Sequence, residues 1–254
     1  MNTSEAVRRI SRDLLRCGVR RSGLLLVHSS MKALGFVPGG PETVILGLLD
    51  ALGPEGTLLI PTLSYEFVTP ARPIFDVLYT PSNIGLIPEY FRARRGSARS
   101  WCPTHSVSAI GPRAHEMLSE HHLDDTPCGP RSPFRKLRDR GGQILMLGCG
   151  LRPNTSMHGV EELVEPPYLF GPTIEHTVIP PDGNGFSMML RRHNFSGKRQ
   201  RYDRLGQMMG KGELIRGRVL EAECFVIECA AMWERAEKAL RADPLCFVEP
   251  ERED

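Results

Sequence analysis

Three short apolar runs set the strongest limit on what this chain can fold into. Gly23-Leu24-Leu25-Leu26-Val27, Thr57-Leu58-Leu59-Ile60 and the stretch from Gln143 to Leu147 are almost free of polar side chains. They are too short for a buried helix, and their lack of alternation suits strands covered on both faces. Around them the period changes. Residues 3 to 17 place Val7, Ile10, Leu14 and Leu15 on one helical face, with a stop at Gly18. Pro41 suits the start of a second helix, which ends near Gly53. Helix, strand, helix, strand is the order of an α/β fold, in which helices are laid on a sheet.

Residues 63 to 82 read as loop, with Pro70, Pro73 and Pro81. A helix is expected around 84 to 94, followed by the arginines Arg92, Arg94, Arg95 and Arg99. Val107 to Ile110 fits a strand and Ala114 to His121 a helix. Ser132-Pro133 is an N-cap followed by proline at the first helical position. Asn154 or Thr155 caps a helix that must end before Pro166-Pro167. Farther on, Thr173–Ile179 and Phe186–Arg191 flank Pro181-Asp182-Gly183-Asn184-Gly185, a hairpin signal. A last helix is expected near 227 to 241. With 254 residues and no internal repeat, the economical organisation is one domain, 1–254, carrying a β-rich subdomain near 174–225.

Charge narrows the partners. The 32 basic and 30 acidic side chains leave a formal net charge of +2, so nothing global draws the chain to nucleic acid or a membrane surface. The 7 cysteines form no CxxC pair, which favours reduced thiols over a disulfide framework or a zinc ribbon. Arg8, Arg9, Arg12, Arg16 and Arg20 break up the first 20 residues. No secretory leader is expected, and a cytoplasmic location is.

Three segments hold candidate chemistry. Met157-His158-Gly159-Val160-Glu161-Glu162 opens a helix directly after the strand 143–147 and the loop Gly148-Cys149-Gly150. Positions i, i+3 and i+4 share a face, so either Glu161 or Glu162 can reach the His158 imidazole and favour its protonated form. That is what a general base requires. Taken alone, the spacing also fits a solvated surface pair. Val27-His28-Ser29-Ser30, continuing to Gly35, Gly39 and Gly40, offers small residues where backbone amides could approach a phosphate. It is neither a Walker A nor a GxGxxG sequence, and a plain tight turn accounts for it as well. Pro103-Thr104-His105-Ser106 puts an imidazole and a hydroxyl at the start of a strand. There is no GxSxG elbow, and Cys149 between two glycines reads as an inert thiol. The arginines at 92–99 read as a solvated face or as an attractor for a polyanionic ligand.

Taken together these segments resemble the aminoglycoside N(3)-acetyltransferase family, whose fold is not that of GNAT enzymes. The likeness rests on Leu26-Val27-His28-Ser29-Ser30 with Leu34-Gly35 and Gly39-Gly40, and on Glu55-Gly56-Thr57-Leu58 with Pro61-Thr62. It continues through Arg99-Ser100 with Pro103-Thr104-His105-Ser106, then Gly129 with Ser132-Pro133-Phe134 and Leu137. Its last stretch is Ile144 to Gly148, continuing through Thr155, His158 and Glu161.

The resemblance implies a three-layer α/β/α sandwich with a mixed sheet, acetyl-coenzyme A as co-substrate, and no metal. It implies acetyl transfer to the 3-amino group of a 2-deoxystreptamine aminoglycoside, and thus antibiotic resistance. Another amine, of a sugar or a biosynthetic intermediate, is the alternative acceptor. His158 becomes the base, Glu161 its carboxylate, and Thr155 a hydroxyl near the thioester. His28, Ser29, Ser30, Gly35, Val37, Gly39 and Ser106 are assigned to coenzyme A. Tyr65, Glu66, Asp76 and Glu162 are assigned to the acceptor, with Asp124 and Asp125 on loops that could line the cleft. The implied partners are these small molecules, not nucleic acid or membrane, and homodimerisation is left open.

Overall fold

In the computed structural model, which describes residues 1–195 and 197–251, the three apolar runs lie side by side. The helix α1 (Thr3–Arg16) is opened by a reciprocal cap, in which the Asn2 side chain accepts from the Glu5 amide and Glu5 accepts from that of Asn2. There follow β1 (Leu24–Ser29), α2 (Gly40–Leu52), β2 (Thr57–Pro61), β3 (Ile74–Asp76), α3 (Leu86–Ala93), β4 (Ala98–Arg99) and β5 (Val107–Ile110). Then come α4 (Ala114–Leu118), α5 (Pro133–Asp139), β6 (Gln143–Leu147) and α6 (Ser156–Val164). The chain continues with β7 (Phe170–Ile179), β8 (Phe186–His193), β9 (Lys198–Gln200), β10 (Leu214–Val219), β11 (Ala222–Glu228), α7 (Cys229–Ala242) and β12 (Val248–Pro250).

The main sheet has the order β10-β11-β6-β1-β2-β5-β4. Its centre, β6-β1-β2, is parallel, while β11 and β5 run antiparallel beside it. The sheet is therefore mixed, as the resemblance implied. Alternate residues of the central strands feed two separate cores. Leu25, Val27, Leu58, Ile60 and Leu145 pack with Ile10, Leu14, Val44, Leu48 and Phe91 of α1, α2 and α3. Leu24, Leu26, Leu59, Ile144 and Met146 pack with Phe134, Val160, Met232 and Trp233 of α5, α6 and α7. This is why the strand sequences show no alternation: both faces are covered, giving an α/β/α sandwich.

The stretch expected as one β-rich subdomain, 174–225, is divided in the structure. β7 and β8 form a hairpin that β3 extends to three strands, and β9 pairs with β12. β10 and β11 instead complete the main sheet through β6. The small sheet is fastened to the large one by Arg99. Its guanidinium donates to the Val77, Thr80 and Thr62 carbonyls and to the Ser64 and Ser106 hydroxyls, and lies 4.7 Å from the Phe75 ring centre. Five donors meet five acceptors without a carboxylate, and burial lowers this guanidinium to about 9. Two other arginines of the 92–99 group are engaged elsewhere: Arg92 with Glu89 and Arg94 with Glu42.

Candidate active site

One edge of the sheet collects the candidate residues. β1 and β6 run parallel and end together, Ser29 beside Leu147. β5 runs the other way, with Val107 opposite Pro61, so the segment Thr104-His105-Ser106 that precedes it lies at the same edge. The turn after β6 brings the chain round to α6. Gly148 is needed there: its φ is +73°, and a Cβ would stand 2.5 Å from that of Ala33. The edge opens into a cavity of about 620 Å³ lined by His28, Ser29, Tyr65, His105, Cys149, Arg152, Thr155, His158, Arg192, His193 and Tyr202, among others. That size and placement match a ligand site at the carboxyl ends of parallel strands.

His158 stands in the first turn of α6, and its Nδ1 lies 3.1 Å from Glu161 Oε2 and 2.9 Å from Tyr202 Oη. Tyr202 has a single proton, which goes to Glu161 Oε2 at 2.8 Å. The phenol oxygen can then only accept from the ring, so Nδ1 carries a hydrogen, and in the neutral ring the lone pair lies on Nε2. Tyr168 donates to the other Glu161 oxygen at 2.9 Å. A wholly buried carboxylate is thus fixed by two phenols and the imidazole it orients.

Glu161 and Glu162 could not be told apart by spacing, but the helix separates them. Consecutive residues point about 100° apart, and Glu162 serves a different ring. It accepts from His193 Nε2 at 2.8 Å, from Thr126 Oγ1 at 2.6 Å and from the Cys128 amide at 2.8 Å. Burial pushes its carboxyl up to about 7, although the hydrogen bonds from Thr126 and the Cys128 amide pull the other way. His193 is held well below the usual imidazole range, by burial first and then by His158. The contact is therefore a hydrogen bond to a neutral ring.

His105, before β5, uses Nδ1 on Thr104 Oγ1 at 2.9 Å. Burial, then the neighbouring imidazoles, keep it well below its ordinary range. At the end of β1, burial and then His158 lower His28 to about 3. His28 Nε2 and Ser29 Oγ are buried with no hydrogen-bond partner in the protein, so both can still pair with a ligand or a water in the cavity. Burial pushes the Cys149 thiol up to about 12, which leaves it unreactive as a nucleophile.

Of the residues expected from the sequence, the cavity brings together His28, Ser29, Tyr65, Thr155 and His158, with Glu161 directly behind His158. Others lie apart. Ser106 is sealed in the Arg99 cluster, donating to the Thr62 carbonyl. Asp76 folds back to accept from the Leu78 and Tyr79 amides. Glu162 is buried against His193. Val37 packs in the core beneath α2, and Gly35 and Gly39 sit in turns against Glu221 and Thr43. Ser30 and Glu66 are not among the lining residues. Asp124 accepts from the Arg131 amide, and the Asp125 carbonyl pairs with β8. Tyr168, Tyr202, Arg192 and His193 complete the site without having been foreseen. Tyr168 follows α6 closely, whereas Tyr202, Arg192 and His193 come from later segments that only the fold brings to this cavity.

Comparison with known proteins matches the chain to a described family and to solved structures. A family model described as aminoglycoside 3-N-acetyltransferase matches residues 26–241. Aminoglycoside N(3)-acetyltransferase VIII of Streptomyces fradiae is 36% identical over 176 residues, covering 63% of this chain and 61% of that protein. The chain thus spans about three fifths of the curated relatives it matches. Among solved structures, aminoglycoside acetyltransferase AAC(3)-IVa in complex with a gentamicin superposes with a TM-score of 0.82 at 28% identity, covering 98% of this chain and 92% of that one. AAC-IIIb in binary complex with CoASH gives 0.81 at 25% identity and 99% coverage of both chains.

Proposed function

This chain belongs to the aminoglycoside 3-N-acetyltransferase family, and from that premise we propose that it transfers the acetyl group of acetyl-coenzyme A to the 3-amino group of a 2-deoxystreptamine aminoglycoside. The observation that carries the reading is the His158–Glu161–Tyr202 arrangement in the cavity wall, which leaves one imidazole lone pair free. An alkylammonium cannot attack a thioester until it loses a proton. His158 Nε2 takes that proton as nitrogen closes on the carbonyl carbon, and Glu161 stabilises the imidazolium that forms. Such assistance is worth about 10²–10⁴-fold. The tetrahedral intermediate collapses with cleavage of the carbon–sulfur bond. The imidazolium then returns its proton to the departing thiolate and the second proton of the former ammonium leaves to solvent, giving the amide, coenzyme A and a neutral base. Ser29 Oγ and Thr155 Oγ1 are the hydroxyls in the wall that suit the transient oxyanion.

The solved relatives named above carry a gentamicin in one case and CoASH in the other, which supports the same pair of ligand classes here. A second reading is favoured by one observation: among the described lining residues, Arg152 and Arg192 are charged and no carboxylate is present. A polycation gains from opposing carboxylates, so this wall suits an acceptor with fewer positive charges, such as an amino sugar. Thiol release from acetyl-coenzyme A, measured across 2-deoxystreptamine drugs and monoamino sugars, separates the two. Release with the drugs supports the first reading. Release with the sugars alone replaces it with the second, and release with neither removes both.

A further inference from the structure

Three imidazoles converge in the cavity from three separate elements. His105 precedes β5, His158 begins α6 and His193 ends β8, with ring centres 5.0, 5.1 and 5.6 Å apart. One ring nitrogen of each lies within 4.8 Å of those of the other two. The opposite nitrogens are already engaged: His158 Nδ1 by Glu161 and Tyr202, His193 Nε2 by Glu162, and His105 Nδ1 by Thr104. This leaves His158 Nε2, His193 Nδ1 and His105 Nε2. His193 Nδ1 is buried and has no partner in the protein.

We propose that His105, His158 and His193 form a binding site for a divalent transition cation of the zinc type, and that its occupancy blocks the transfer site. The geometry argues for it: ring nitrogens of three histidines converge, and His193 Nδ1 is buried with no partner in the protein. Zinc takes three histidines plus one open position readily, and a ligating ring is normally oriented by a hydrogen bond from its other nitrogen. Each ring here has that bond, in two cases to a carboxylate. Tetrahedral bonds near 2.1 Å place the nitrogens about 3.4 Å apart, so modest rotation of the side chains closes the set. The cation is not a cofactor in this reading. It claims the His158 lone pair that would take the amine's proton, a consequence that rests on the function proposed above, whereas binding itself does not.

Zinc binding to the purified full-length chain, without acetyl-coenzyme A or amine, is measured by competition with a chromogenic chelator. One zinc per chain is expected, with at least about tenfold weaker binding in His105→Gln and in His193→Ala. Glu162→Gln should weaken it by about 10- to 100-fold while leaving all three ligands in place. Cys149→Ser, which removes the thiol in the wall, should bind as the parent does. Cobalt(II) adds a spectroscopic readout, the intense visible bands of a four-coordinate site, which His105→Gln should lose. Circular dichroism identifies any variant that fails to fold, and the remaining variants then carry the test. No zinc bound at micromolar free metal, or equal binding by His105→Gln and His193→Ala, would overturn the site. In turnover, zinc should raise the KM for the amine and a chelator should restore it. Stoichiometric zinc with undiminished transfer would overturn the blocking role.

Discussion

Replacing Glu161 with glutamine separates the orientation of His158 from the stabilisation of its charge. The carboxylate is wholly buried and accepts three hydrogen bonds, from Tyr168, Tyr202 and His158 Nδ1. Glutamine has the same shape, and its oxygen can still accept from Tyr202 and the ring while its NH₂ faces Tyr168. Orientation therefore survives, and the lost charge-assisted bonds are partly offset by no longer burying a charge. What disappears is the anion beside the forming imidazolium. At 3.1 Å and an effective dielectric of about 20, the full unit-charge attraction is about 5 kcal/mol. Both charges are delocalised over several atoms, which reduces it to about 2–4 kcal/mol. The expected result is a kcat lower by roughly 30- to 900-fold. Steady-state thiol release at saturating acetyl-coenzyme A reads this directly, with a thermal melt to confirm the fold. A kcat within about twofold of the parent in a folded Glu161→Gln protein would refute the charge argument.

Other consequences are open to measurement. Ser106→Ala removes a hydroxyl committed to Arg99 and the Thr62 carbonyl. It should cost about 1–3 kcal/mol in denaturant melts and leave the KM for acetyl-coenzyme A unchanged; a large rise in that KM with normal stability would return Ser106 to the donor site. Gly159→Ala drives a Cβ to 2.3 Å from the Trp233 ring. An overpacking cost of about 3 kcal/mol should exceed the helix gain of about 1 kcal/mol, so the Tm should fall by several degrees, and an unchanged or higher Tm would contradict the packing described. Acid should destabilise the fold. His28, His105 and His121 are lowered by burial, so below about pH 6.5 they bind protons only when unfolded, and the stability they contribute is lost as pH falls. Asp124, raised to about 6, opposes this, since its own contribution is lost as pH rises. Glu162 and His193 shift in opposite directions and offset each other. His122 and His176 are lowered by burial as well, so net proton uptake on unfolding remains, and each net proton is worth about 1.4 kcal/mol per pH unit. Urea midpoints that are flat or rising with acid would refute it.

The layered fold was legible because the signals that specify it are local. Leu24–Val27, Thr57–Ile60 and Ile144–Leu147 are apolar on both faces, and that pattern alone requires helices above and below. The hairpin at 181–185 was equally local. By contrast, β10 and β11 join the main sheet by pairing with β6, far earlier in the chain, and no local pattern states such a partner. The site divides along the same line. His158 stands out because it follows a buried strand, and Glu161 lies one turn away. Tyr202, 44 residues on, and His193, brought in by the hairpin, became visible only in the structure. Spacing left Glu161 and Glu162 equivalent, until the helix turned each toward a different imidazole. Ser106 and Asp76 show the converse: the sequence reading assigns both to a ligand, yet their hydrogen bonds are spent inside the fold.

The central claim, that His158 removes the proton from the accepting amine, is tested most directly by His158→Ala in paired measurements of turnover and of coenzyme A affinity by calorimetry. Loss of a general base predicts a kcat lower by about 10²–10⁴-fold, with the affinity for coenzyme A nearly unchanged. Normal turnover at saturation, with the loss confined to coenzyme A binding, would contradict it.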